Sequence, residues 1–141
     1  MRWLLLNELR SGADFVLLLM RVVVGAFLIW GVWDNITSAA RMEEFESFLR
    51  SQGFAAPAFL APLSVWAQFI CGVCFVLGFA TRWAGLICAF NFLVALAMVD
   101  AKLGIRGAFP STLLVLLGLY FATRGAGRLS LDNRLASALP L

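Results

Sequence analysis

The sequence predicts an all-α membrane protein, a four-helix transmembrane bundle built as one domain over 1–141. Three observations carry that expectation. First, 62% of the residues are hydrophobic and only 13% are charged, against about 45–50% and 25% in soluble domains. A chain of 141 residues has too little interior to hide so much apolar surface from water, so lipid must cover it. Second, four apolar runs lie near 15–33, 62–80, 83–99 and 107–123. As helix each covers roughly 25–30 Å, which suits a hydrocarbon core about 30 Å thick. Third, no run alternates as the strands of a membrane barrel do, so backbone groups in lipid must pair within helices.

The same composition excludes intrinsic disorder, a disulfide-stapled secreted domain and a nucleic-acid module. The net charge of +3 rests on 11 basic against 8 acidic residues. No two basic residues are adjacent, so the balance reads as membrane topology and no nucleic-acid partner is expected. The chain has no histidine, which removes His-ligated haem, zinc and copper sites and His-dependent catalytic triads. Its three cysteines cannot complete a four-thiolate cluster without a partner. No metal site is expected, and no resident cofactor.

The first run is longer than the apolar core of a signal peptide and contains Arg21, so it is retained as helix one. Arg2, Arg10, Arg82, Arg124, Arg128 and Arg134 fall on one side of the membrane. Arg41, Arg50, Lys102 and Arg106 fall on the other, with Asp34, Glu43, Glu44, Glu46 and Asp100. The excess of basic residues places both termini in the cytoplasm of a multi-pass inner (plasma) membrane protein.

The stretch 34–61 predicts a short amphipathic helix on the outer surface. Thr37 or Ser38 can cap it, Met42, Phe45, Phe48 and Leu49 recur at helical spacing, and Gly53 can end it. Pro57 and Pro62 then bracket the start of helix two. Helices two and three are joined by Thr81-Arg82 alone, which forces an antiparallel hairpin with Arg82 as a cytoplasmic stop signal. Trp33, Trp66 and Trp83 fall near span ends, where indole rings anchor at the headgroup level. Gly25, Gly31, Gly72, Gly78, Gly85 and Gly118 let helices approach closely, and Gly85 with Ala89 makes a small-xxx-small pair.

Polar groups inside spans are costly and therefore functional candidates. Arg21 can snorkel to the interface, pair with Asp14 or Asp132, or contact an anion or ligand. Gln68 and Asn91 can each bond a neighbouring helix. Their depth suggests a further role. Gln68 should lie level with 28–30 of helix one, just below Asp34, so Trp30, Asp34 and Gln68 can converge on an outward-opening polar pocket, with Asn91 as a further candidate ligand contact. Cys71 and Cys74 put two sulfurs on one helix face. Mid-span burial raises a thiol pKa and helical geometry strains such a disulfide, so packing is favoured over redox work.

Helix one carries Arg21, Gly25, Phe27, Leu28, Trp30 and Gly31, and helix two runs from Gln68 through Gly72 and Gly78 to Thr81-Arg82. The tail holds Gly125, Gly127, Arg128, Ser130, Leu131 and Asp132. In these motifs the chain, over about 15–134, resembles the DoxX-like family of small four-helix bacterial and archaeal membrane proteins. The resemblance lies in R-x-x-x-G-x-x-F-L-x-H-G with small offsets, in a Thr-Arg hairpin and in a G-x-G-R-x-S-L-D end. Trp30 stands where the family often has His, Asp34 where Lys is common and Gln68 where Glu is common, so an ionisable site of other members is neutralised or reversed here.

The resemblance implies a membrane subunit near quinone-linked electron transfer. The function expected first is an accessory or structural component of a larger membrane redox complex, in contact with the lipid bilayer and with other subunits or copies of itself. The alternative is a quinone-linked oxidoreductase component, of the quinol oxidase or thiosulfate:quinone oxidoreductase type, with a quinone-headgroup site near the outer interface. Quinone or lipid would then be the ligand. A small channel or transporter ranks third, since no broken helices or repeated half are present.

Overall fold

A computed structural model describes residues 2–139 of the chain, with side chains from Leu4 onward, so the side chain of Arg2 lies outside the described residues. Four of its helices are long and apolar enough to cross a membrane. They are α1 (Ala13–Thr37), α3 (Pro57–Leu77), α4 (Thr81–Met98) and α5 (Gly104–Arg124). Two shorter helices accompany them, α2 (Ala39–Ser51) between the first two spans and α6 (Leu131–Ala138) in the tail.

Nothing between Ala13 and Thr37 breaks a helix, so α1 runs for 25 residues, about 37 Å and longer than the apolar run alone. Ser38 then turns into extended backbone, and its Oγ accepts the Arg41 N–H at 3.4 Å to cap α2. Of the two expected caps, Ser38 is the one used. Thr37 instead donates back to the Trp33 carbonyl at 2.9 Å. In α2, Leu49 is buried, Met42 and Phe45 are half-buried, and Glu43 and Glu44 face outward. Its apolar side packs on α1 and α3.

The second span starts at Pro57 rather than Pro62, which lies inside the helix. A proline this near the start leaves only the carbonyl one turn earlier without its N–H partner. At the far end Gly78, with φ +67°, closes α3. The Phe79 N–H bonds the Cys74 carbonyl at 3.0 Å and the Gly78 N–H bonds the Phe75 carbonyl at 3.3 Å, the paired closure that a left-handed residue permits. The second span is therefore 57–77, and the link to α4 is Gly78, Phe79 and Ala80; Thr81 and Arg82, expected to form the turn, instead open α4. A 3₁₀ turn, Asp100–Leu103, leads into α5.

Packing follows the small residues. A side chain on Gly25 would lie 2.5 Å from the Gly72 carbonyl, and one on Gly72 would lie 2.7 Å from the Gly25 carbonyl. The helices α1 and α3 thus cross backbone to backbone. The pair α4 and α5 does the same at Gly85 and Gly118, with Ala89 and Ala122 as the adjoining small residues. These two pairs share one core of Leu17, Val24, Leu28, Cys71, Phe75, Ala84, Cys88, Leu114 and Phe121. Phe75 and Phe121 meet there with ring centroids 4.9 Å apart.

One end of the bundle, the hairpin end, gathers the start of α1, the α3–α4 turn, the end of α5 and the tail. Asp14 Oδ1 accepts the Arg128 N–H at 3.2 Å, and Asp132 reaches the turn. The opposite end carries α2 and the 3₁₀ turn, linked where Lys102 donates to Gln52 Oε1 at 3.4 Å.

Candidate functional site

Two polar clusters stand inside the spans. The first joins α3 to α4. Gln68 Nε2 donates to Ser64 Oγ at 3.1 Å, and the Ser64 hydroxyl donates to Asn91 Oδ1 at 2.8 Å. All three residues are half-buried. Ser64 went unnoticed in the sequence, although it stands one turn before Gln68 on the same face. The gap beside this ladder, lined by Leu28, Cys71, Cys88 and Phe92 among others, is about 140 Å³ and too narrow for a water-sized body.

The expected convergence of Trp30, Asp34 and Gln68 is not formed. The depth was right, since Leu28 borders the gap next to Gln68. The direction was not. Leu28 is 1% exposed and Trp30 is 82% exposed, because two residues turn a helix by about 200°. The buried stripe of α1 is Leu17, Arg21, Val24, Gly25, Leu28 and Val32, and Trp30 stands on the opposite face. Asp34 belongs to the α1–α2 corner, with its carboxylate 3.9 Å from Arg41. Arg41 also pairs with Glu44 at 3.0 Å, and these two carboxylates hold its guanidinium above the usual arginine pKa. Trp33 is the indole that turns toward α3, 6.4 Å from Phe69.

Cys71 and Cys88 sit in the core and Cys74 packs against it, all three as free thiols. Cys71 Sγ lies 3.4 Å from the Ala84 carbonyl as a weak donor.

The second cluster is at the hairpin end. Arg21 is fully buried, so it does not snorkel. Nor does it pair with Asp14 or Asp132. Its guanidinium donates to the Phe75 carbonyl at 3.2 Å and to the Leu129 carbonyl at 2.5 Å. Gly78 makes room for it, since any side chain there would overlap the guanidinium and the Ser130 Cβ. Helix ends expose carbonyls that a cation satisfies well.

Asp132 is committed elsewhere. Its two oxygens accept the Ala80 N–H at 2.7 Å and the Thr81 N–H at 2.9 Å, and its own N–H bonds the Gly78 carbonyl at 2.9 Å. It caps α4 from 51 residues away. Asp14 takes the Arg128 N–H and lies 3.9 Å from Arg124.

Arg82 has a structural role at the end of the bundle. It donates to the Ala122 and Thr123 carbonyls at 2.9 and 2.6 Å and so caps the end of α5. Ser130 caps α6, a helix absent from the sequence reading, by accepting the Asn133 N–H at 3.2 Å. Arg21, the Thr81-Arg82 hairpin and the Gly125–Asp132 tail, far apart in sequence, thus form one bonded node.

Among known proteins, no curated relative and no solved structure matches the chain. A family model described as DoxX matches residues 16–101. That stretch holds Arg21, both glycines of the α1–α3 crossing, the ladder and the hairpin, and ends before α5 and the tail. It takes in well over half of the molecule, and on that ground the chain belongs to the DoxX family.

Proposed function

We propose that this protein is an accessory, structural subunit of a larger membrane complex of the redox type. The observation that carries this reading is where the intramembrane polar groups point. Arg21 bonds carbonyls of its own chain, and Gln68, Ser64 and Asn91 bond one another. What the spans present outward is apolar and aromatic, with Val23, Trp30 and Phe90 at 66%, 82% and 70% exposed. Such a surface suits lipid or the helices of a neighbouring subunit.

In this reading the protein sits in the inner (plasma) membrane with its hairpin end in the cytoplasm. Arg10, Arg82, Arg124, Arg128 and Arg134 gather at that end, against Glu8, Asp14 and Asp132. The opposite end has the acidic excess.

The experiment is purification of the native protein in mild detergent and identification of what accompanies it. A stoichiometric larger complex supports the accessory role. An isolated protein carrying quinone overturns it in favour of a quinone-linked component. That second reading draws on the ladder, where the Gln68 carbonyl and the Asn91 amide nitrogen make no hydrogen bond among the described residues. A headgroup there would have to part α3 from α4, because the present gap is too narrow.

A further inference from the structure

We propose that the hairpin end carries a binding site for the phosphate of an anionic phospholipid. A cleft of about 510 Å³ opens there between the α3–α4 turn, the end of α5 and the tail, a volume typical of small-molecule sites. Gly125 and Gly127, with φ +80° and +78°, fold the loop into its wall. A side chain on Gly125 would press on the Arg82 guanidinium at 3.2 Å.

Arg82, Arg124 and Arg128 line this cleft with Asp14 and Asp132. Both carboxylates already accept backbone N–H groups. The arginines are less occupied. Arg82 uses one nitrogen on the α5 carbonyls, and among the described residues the Arg124 guanidinium has only its 3.9 Å contact with Asp14. The Arg128 guanidinium makes no hydrogen bond or ion pair among the described residues. Forked donors around a concave opening suit a phosphate, which accepts two parallel N–H bonds from one guanidinium.

The surroundings point to a lipid rather than a free anion. The cleft lies where spans begin and end, the level of phospholipid headgroups, and Trp83 on its rim is 72% exposed. Below it Trp83, Leu86, Phe90 and Leu93 share one face of α4, exposed at 72%, 50%, 70% and 52%. Their spacing of three and four residues makes a continuous stripe. It descends about 15 Å, half the hydrocarbon thickness and the reach of one leaflet. A phosphate held by the arginines would lay its acyl chains along that track, as basic pockets between membrane helices do with anionic headgroups.

Thermal melting of the detergent-purified full chain tests this, with phosphatidylglycerol, phosphatidylcholine of the same acyl chains, or inorganic phosphate added. Phosphatidylglycerol should raise Tm saturably and phosphatidylcholine should not. In an Arg124→Gln, Arg128→Gln double variant the half-saturating phosphatidylglycerol should rise about twenty-fold. Arg50→Gln, at the opposite end, should leave it unchanged. A double variant that responds like the wild type overturns the site. Equal stabilisation by inorganic phosphate at the same concentration overturns the lipid. Should the double variant fail to fold, Arg128→Gln alone removes no side-chain bond among the described residues and should weaken the response about five-fold; an unchanged response then overturns the proposal.

Discussion

At the scale of single residues, Arg21 shows how a charge is kept inside a bundle without a counter-charge in contact. Its partners are the Phe75 and Leu129 carbonyls, so its role depends on the forked geometry as much as on the charge. Arg21→Met should cost about 2–4 kcal/mol, and Arg21→Lys should recover only part of it. Thermal denaturation in detergent with size-exclusion readout would rank the three proteins. In the ladder the two bonds meet on the Ser64 hydroxyl, whereas Gln68 makes one of them. Ser64→Ala should therefore destabilise by about 1–2 kcal/mol, and Gln68→Leu by less than about 1 kcal/mol. The same melts give the order, and the reverse order would dismiss the ladder as an interhelical tie. The polarity of Gln68, Asn91 and Arg21 was legible in the sequence, and so was the depth of Gln68. Its direction relative to Trp30 was not, because a lipid-facing side is as apolar as a core and periodicity carries little contrast. The position of Arg21 and Gly25 on α1 was the available signal for the inner face.

At the scale of elements, the crossings depend on glycines whose neighbours are backbone and cannot yield. Gly25→Ala would set a methyl 2.5 Å from the Gly72 carbonyl and should cost about 1–3 kcal/mol. Gly31→Ala, on the same helix with nothing within 4 Å, should stay within about 0.5 kcal/mol of wild type. A chemical melt of both variants checks the contrast, and equal losses would mean that the crossing tolerates separation. Hydropathy located all four spans but misplaced their ends. The limits of α3 come from Pro57 at its first turn and from the left-handed Gly78, neither of which is an apolar signal. The tail helix α6 escaped notice because eight residues offer too few turns for a periodic pattern.

At the scale of the whole molecule, the bundle is closed at one end by bonds between its first and last segments, and its orientation is open to a direct test. Single cysteines at Ser47, Lys102 or Ser137, all exposed, in a chain with Cys71, Cys74 and Cys88 replaced, should react differently with an impermeant maleimide on intact cells. The first two should label and the third should not; labelling at Ser137 alone would invert the arrangement. The four spans and their antiparallel order were readable from composition and from the shortness of the connection between the second and third spans, although that connection is 78–80 and not Thr81-Arg82. The node at the hairpin end was not, because its bonds run mostly through backbone groups whose meeting requires the finished fold. Its Asp132 cap also sets an order in time. The Ala80 N–H waits for a carboxylate 52 residues downstream, which a ribosome adding about 5–20 residues per second delivers some 3–10 s later. During that interval the hairpin is inserted but unlatched, and its amides depend on water at the membrane surface. A chain released before Asp132 lacks this cap altogether, and its Ala80 and Thr81 amides never meet the carboxylate.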